Sequence, residues 1–136
     1  MEMDVTERIT AGLAREVSEQ VCDHNTAAAM GSGTLPVYAT PAMTALMERA
    51  AAELAEALLP DGWTSVGIAL QVQHTSATPC GLEVCARAEV TAVEGRKLTY
   101  RVTARDTAGE IGSGTHERFA VPRDKFLQKA KAKRTQ

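Results

Sequence analysis

The sequence predicts an α+β fold in which an antiparallel β-sheet wraps around one long central helix. Three observations lead there. A single long helical pattern covers residues 41–59, and four stretches of alternating apolar residues follow between 64 and 121. Short turn sequences join those stretches, which suits antiparallel strands and leaves no room for the helical crossovers of a parallel sheet.

Residues 1–24 support two readings. Ile9, Leu13, Val17 and Val21 recur every four residues, as on one face of an amphipathic helix. Leu13, Arg15, Val17, Glu19 and Val21 also alternate as in an edge strand, although propensity alone leans to helix. The segment from about 25 to 39, containing NTAAAMGSGTLP, is rich in small residues. It is expected to form a helical turn at Thr26–Met30 and then a Gly-Ser-Gly loop, a flexible lead into the main helix.

That helix reads TPAMTALMERAAAELAEALL and stops at Pro60-Asp61-Gly62. Thr40 is the expected N-cap, with Pro41 at the first helical position, where a missing N–H costs nothing. Alanine, leucine, methionine and glutamate, all strong helix formers, fill the interior. At about 100° per residue, Met43, Leu46, Met47, Ala50, Leu54, Ala57 and Leu58 form one apolar stripe. Arg49 and Glu53 are spaced to pair on another side. Glu48 joins neither group. It falls among Thr44, Ala51, Ala52, Ala55 and Leu59, and a carboxylate among small or apolar neighbours is either a solvated edge or a group with a job.

Beyond Gly62 the period changes to two. Val66, Ile68, Leu70 and Val72 alternate up to His74 and a turn through Ser76-Ala77-Thr78-Pro79; Leu82 to Val90 alternate next, up to Glu94-Gly95. Leu98 to Ala104 follow, closed by a turn at 106–109, and the last strand runs from Ile111 to Val121 before Pro122. The basic tail is expected as a short helix or a solvated end. A sheet of this kind leaves edges exposed, which a second copy of the chain would cover.

Composition narrows the classes. The 136 residues suit a single domain, and a net charge of −2 gives no footprint for nucleic acid. No apolar run is long enough to span a membrane, and no charged-then-apolar leader opens the sequence. Three cysteines at spacings unsuited to zinc make a reduced, cytoplasmic setting the expected one. Aromatic residues are only 4%, so small aliphatic side chains must build the core.

Few motifs carry chemistry on their own. IGSGTHER (111–118) lacks the third glycine and the following helix of a phosphate loop. Gly112 and Gly114 on one strand face suggest instead that something approaches the backbone closely. His116 and Arg118 share that face, where a solvated strand end is the plain alternative. His24, His74 and His116 form no close ligand pair, so no metal is expected. No G-x-S-x-G elbow is present, and no cysteine carries a histidine signature. His74, just before a turn, is displayed to a pocket or to water, and alone it reads as a surface histidine.

Together the blocks are far more specific. VYATPAMTALMERA, VGIALQVQHTSATPCGLEV and VEGRKLTYRVTARDTAGEIGSGTHERFAV resemble the hotdog-fold thioesterase family typified by fluoroacetyl-CoA thioesterase, with the spacing between blocks preserved from about Thr26 to Lys129. The resemblance implies a hotdog fold with a strand in the first 24 residues, a lid at about 25–39, and hydrolysis of a small acyl-CoA to free acid and CoA without a cofactor. It also implies a homodimer, leaving open whether dimers pair into tetramers. It places catalytic roles on Thr40, Glu48 and His74, an oxyanion-side role on Gly67, and a substrate-binding role on Arg118. The chain departs from the fluoroacetyl-specific pattern in the lid, where phenylalanines are replaced by TAAAMGSGTLPVY. A non-catalytic acyl-thioester binding protein and an enoyl-thioester hydratase are the alternatives. Thr40 and Glu48 stand about 12 Å apart along a helix and about 80° around it, so they cannot touch directly.

Overall fold

The computed structural model describes residues 4–135. Its main elements are β1 (Ala14–Gln20), α1 (Ala27–Met30), α2 (Thr40–Leu58), β2 (Trp63–His74), β3 (Glu83–Glu94), β4 (Lys97–Asp106), β5 (Gly109–Pro122) and α3 (Arg123–Lys131). The five strands form one antiparallel sheet in the order β1-β3-β4-β5-β2, and α2 packs on its inner face.

The first 24 residues resolve in favour of the strand. Val17 packs into the core from β1, and Val21 and Ile9 are buried beyond its two ends. Pairing of β1 along β3 outweighs the local helical preference, because propensity is a weak prior against tertiary contact. The turn expected at Thr26–Met30 is α1, whose first turn is capped by the Thr26 hydroxyl and whose end is closed by Gly31 in the left-handed region.

The core joins α2 to the sheet. Met43, Leu46, Met47, Ala50 and Leu54 are buried as the wheel implies, and so are Ala42, Ala51 and Ala55. Ala57 is exposed and Leu58 only half-buried, whereas Ala55 and Leu59 at the same end are buried, so the stripe that meets the core is shifted from the wheel's by its last turn. Opposite lie Val84, Ala86, Ala88 and Val90 of β3 and Leu98, Tyr100, Val102 and Ala104 of β4. Each large aliphatic side chain buried here contributes about 1.5–3 kcal/mol. The Tyr100 hydroxyl donates to the Ala51 carbonyl at 3.1 Å, tying sheet to helix. Arg49 pairs with Glu53 at 2.8 Å, as its spacing predicts, and Arg15 of β1 joins the same carboxylate at 2.9 Å.

Two features of the sheet differ from the sequence reading. The segment after His74 is no hairpin: it carries the chain from one outer strand, β2, across to β3 on the far side of β4 and β5. Nor do Val66, Ile68, Leu70 and Val72 share one face. Opposite β5 the register shifts between Gly67 and Ala69, so that Ile68 is the extra residue of a bulge. An extra residue inverts the faces that follow. Ser65 and Gly67 therefore face the helix with Leu70, Val72 and His74, while Val66, Ala69, Gln71 and Gln73 face outward.

Close approach explains two glycines on β5. A Cβ at Gly112 would lie 2.6 Å from the Met43 sulfur and 2.7 Å from the Gln73 carbonyl oxygen. At Gly114 it would collide with backbone of β2, 2.1 Å from the Gln71 oxygen.

Candidate active site

Thr40 lies at the very start of α2, but it does not cap it. The N-cap is Ala39, with no side-chain capping bond, and the helix begins one residue earlier than the sequence suggests. Backbone bonds fix that start: Ala39 donates to the Asn25 carbonyl at 3.0 Å and accepts from Met43 at 3.0 Å. The Thr40 hydroxyl is thereby released from capping and meets His74 Nδ1 at 2.9 Å. At a helix start of this kind the Thr40 and Ala42 amides have no intrahelical acceptor, and Pro41 has no N–H to offer.

These two side chains line a pocket of about 280 Å³, with Ala27, Ser32, Val37, Tyr38, Thr75, Ser76 and Ala77. Its wall is firmly anchored. The Tyr38 hydroxyl donates to Glu19 at 2.5 Å, its amide donates to the Thr78 carbonyl at 2.8 Å, and the Thr78 hydroxyl donates to Asp106 at 2.7 Å. Burial, reinforced by Glu19, pushes the Tyr38 phenol far up, so it remains a donor. Burial also holds His74 below the ordinary imidazole range, with the Ser76 backbone opposing. His74 Nε2 itself is buried and has no hydrogen-bond partner among the described residues.

A second polar cluster lies further along α2. His116 and Arg118, weighed in the sequence as a solvated strand end, are instead 1% and 7% exposed. The His116 Nδ1–H donates to the Ala69 carbonyl at 2.8 Å. Its Nε2 accepts from Arg118 Nη1 at 3.2 Å. The guanidinium is held from its other side by Ser65, Nε donating to Oγ at 2.7 Å and Nη2 to the carbonyl at 3.0 Å. Burial lowers the pKa of both His116 and Arg118; the Ala69 bond opposes this at His116, and Tyr100 and Glu48 oppose it at Arg118. Glu48 faces this pair: Oε2 lies 3.8 Å from Arg118 Nη1 and 3.9 Å from His116 Nε2. Gly67 completes the group, since a Cβ there would sit 2.8 Å from Glu48 Oε2.

The expected residues thus fall into two groups, Thr40 with His74 and Glu48 with Gly67 and Arg118. Eight helical residues, about 12 Å of rise, separate Thr40 from Glu48. Sequence reasoning missed Ser65 and gave His116 no role. The signal for His116 was the strand-face pattern of Gly112, Gly114, His116 and Arg118, whose two glycines already marked that face as crowded.

Comparison with known proteins places these groups in context. The model of a family described as fluoroacetyl-CoA-specific thioesterase matches residues 21–124. The fluoroacetyl-CoA thioesterase of Streptantibioticus cattleyicolor is 47% identical over 97 residues, covering 71% of this chain and 70% of that protein. A solved fluoroacetyl-CoA thioesterase structure aligns with a TM-score of 0.86 at 39% identity, over 92% of this chain and 97% of that one. A hot-dog-like protein from Thermanaerovibrio acidaminovorans aligns with a TM-score of 0.86 at 27% identity, over 97% of both chains.

Proposed function

The chain belongs to the fluoroacetyl-CoA-specific thioesterase family and is an acyl-CoA thioester hydrolase, and on that premise we propose how its residues divide the reaction. His74 Nδ1–H donates to the Thr40 oxygen, which turns the Thr40 proton toward the thioester carbonyl. The Thr40 hydroxyl and the free amides at the start of α2 then receive the negative charge of the tetrahedral intermediate. Glu48 takes a proton from water as the water oxygen attacks the carbonyl carbon. Collapse of the intermediate breaks the C–S bond and expels CoA as a thiolate. A thiol of ordinary pKa about 8.5 leaves without a general acid, and the proton held by Glu48 passes on to the products. The observation that carries this reading is the 2.9 Å contact between Thr40 and His74 at the pocket wall, with His74 Nε2 left unpartnered. Thiol release from acetyl-CoA by the wild type and by Thr40→Val tests it. A valine variant with the wild-type rate would remove Thr40 from the chemistry.

The same proposal makes the working unit a homodimer in the cytoplasm, with each site shared between subunits. Thr40, Thr44 and Glu48 follow one another at four-residue spacing on α2, and β2 is an outer strand exposing Ile68 (51%) and Leu70 (37%). A two-fold axis passing near Thr44 and near Leu70 would set Thr40 and His74 of one protomer against Glu48 of the partner subunit, closing the gap of about 12 Å. Light scattering at micromolar concentration should report a dimer. Mixing Thr40→Ala with Glu48→Gln and allowing subunits to exchange should restore about a quarter of wild-type activity, whereas sites contained within single protomers would give none.

Substrate breadth follows from the lid. Ala27 and Ser32 offer little bulk at the pocket, Met30 of the same segment is exposed, and Tyr38 is the one ring that segment contributes to the lining. Packing against such small side chains discriminates similar acyl groups by about 1–3 kcal/mol. Several acyl-CoAs should be hydrolysed, and kcat/KM for fluoroacetyl-CoA should exceed that for acetyl-CoA by less than about 10³.

A further inference from the structure

We propose that His116 is a positioning residue for thioester hydrolysis: its imidazole orients Arg118 so that the guanidinium fixes the Glu48 carboxylate beside Gly67. The inference rests on Glu48 being the working carboxylate. Three contacts in series carry it, with Ser65 bracing the middle one from the side. The carbonyl of Ala69, the residue just past the β2 bulge, receives the His116 Nδ1–H at 2.8 Å. That bond decides the tautomer, because a neutral imidazole with its proton on Nδ1 has only a lone pair on Nε2. The lone pair accepts from Arg118 Nη1 at 3.2 Å. Ser65 pins the opposite side of the guanidinium through two further bonds, leaving Nη1 as the nitrogen 3.8 Å from Glu48 Oε2. Tyr100 stacks against the imidazole at 5.9 Å between centroids and 25° between planes, so the ring has little freedom to turn.

A histidine that served only to fill the core would need none of this directionality. Leucine in its place would leave the Ala69 carbonyl without this donor and the buried Arg118 Nη1 without its acceptor, and the guanidinium would be free to swing away from Glu48. His116 is buried behind Glu48, bonded to Arg118 and 3.9 Å from Glu48 Oε2 itself, so its influence on rate passes through Glu48, and that dependence can be measured.

The test is a set of double-mutant cycles read as kcat and KM for acetyl-CoA, with thermal unfolding recorded for each variant. His116→Leu should lower kcat by about 10- to 100-fold while KM changes by less than about threefold. His116→Asn keeps a donor for Ala69 and lacks any group that reaches Arg118; it should fold better than the leucine variant and remain about as slow. Ser65→Ala, which loosens Arg118 from the other side with little change in packing, should lose several-fold in kcat. In a Glu48→Gln background, all three substitutions should cost less than about threefold, because the charge they position is gone. A folded His116→Asn with wild-type kcat would overturn the proposal, as would equal losses in both backgrounds. A Glu48→Gln enzyme at the wild-type rate would instead overturn the premise about Glu48.

Discussion

Around Thr40 the polar groups stand at the wall of an open pocket: one hydroxyl, one imidazole whose second nitrogen is buried without a partner, and a helix start whose Thr40 and Ala42 amides have no intrahelical acceptor. Around Glu48, two turns further along the same helix, Ser65, His116 and Arg118 are buried and bonded to one another and to the Ala69 carbonyl. The first arrangement leaves bonding capacity for a substrate. The second spends its capacity internally and presents one carboxylate, 42% exposed at its side chain, to whatever lies outside. The two polar regions therefore differ in how completely their hydrogen bonds are satisfied, even though both carry charged or titratable side chains.

The sharpest way to break this contrast is to remove the group each region presents. Glu48→Gln and His74→Ala should each lower kcat by at least about 10²-fold, and the double variant should be little slower than the poorer single one. Fully multiplicative losses would separate the two regions into independent contributors. Thr40→Asn should follow with a loss of about tenfold or more in kcat and almost no change in Tm. Ala39 holds the cap position, so the stability cost of about 1 kcal/mol usual for a lost cap should be absent. Gly67→Ala comes next. Its methyl group would press on the flexible end of Glu48, so a loss of several-fold in kcat in a folded protein is expected. Gly114→Ala, aimed at rigid backbone instead, should lower Tm in preference to kcat.

The smallest effect expected is on stability against pH. Both His74 and His116 are held below their ordinary pKa by burial. The unfolded chain then binds more protons than the folded one as pH falls below about 6.5. Their contribution is fully present above that value and is lost on the acid side. Denaturant unfolding at pH 7.5 and pH 5 should show the decline, and His116→Asn should flatten it more than His74→Ala, because His116 is the more deeply buried. Equal slopes in the wild type and both variants would assign the pH dependence to other groups.

Much of this was legible in the sequence, for physical reasons that can be named. The main helix announced itself through Pro41, Pro60 and its helix-forming interior, and Glu48 stood out because a carboxylate among alanines breaks the wheel. Gly112 and Gly114 on one face signalled the crowding later found at Met43 and Gln71. Three things were not legible. The cap at Ala39 depends on Asn25, distant in sequence. The periods of residues 1–24 left helix and strand both open; the family resemblance implied the strand, and only pairing with β3 selects it. Arg118 shares the strand face of His116, but the groups that hold the pair lie far off in sequence, Ala69 47 residues from His116 and Ser65 53 residues from Arg118, and no local pattern announces contacts of that range.

Gly67 and His74 are separated by an odd number of positions, yet both point toward α2, because Ile68 is absorbed by the bulge. Parity therefore governs how this strand can change length. Adding or deleting one residue between 67 and 74 would turn one of the two outward and separate the halves of the proposed site, while a change of two would preserve both orientations and shift only their spacing. Aligned relatives that keep both functions should show gaps of even length in this interval. A designer grafting the site onto another sheet would have to carry the bulge along with the side chains.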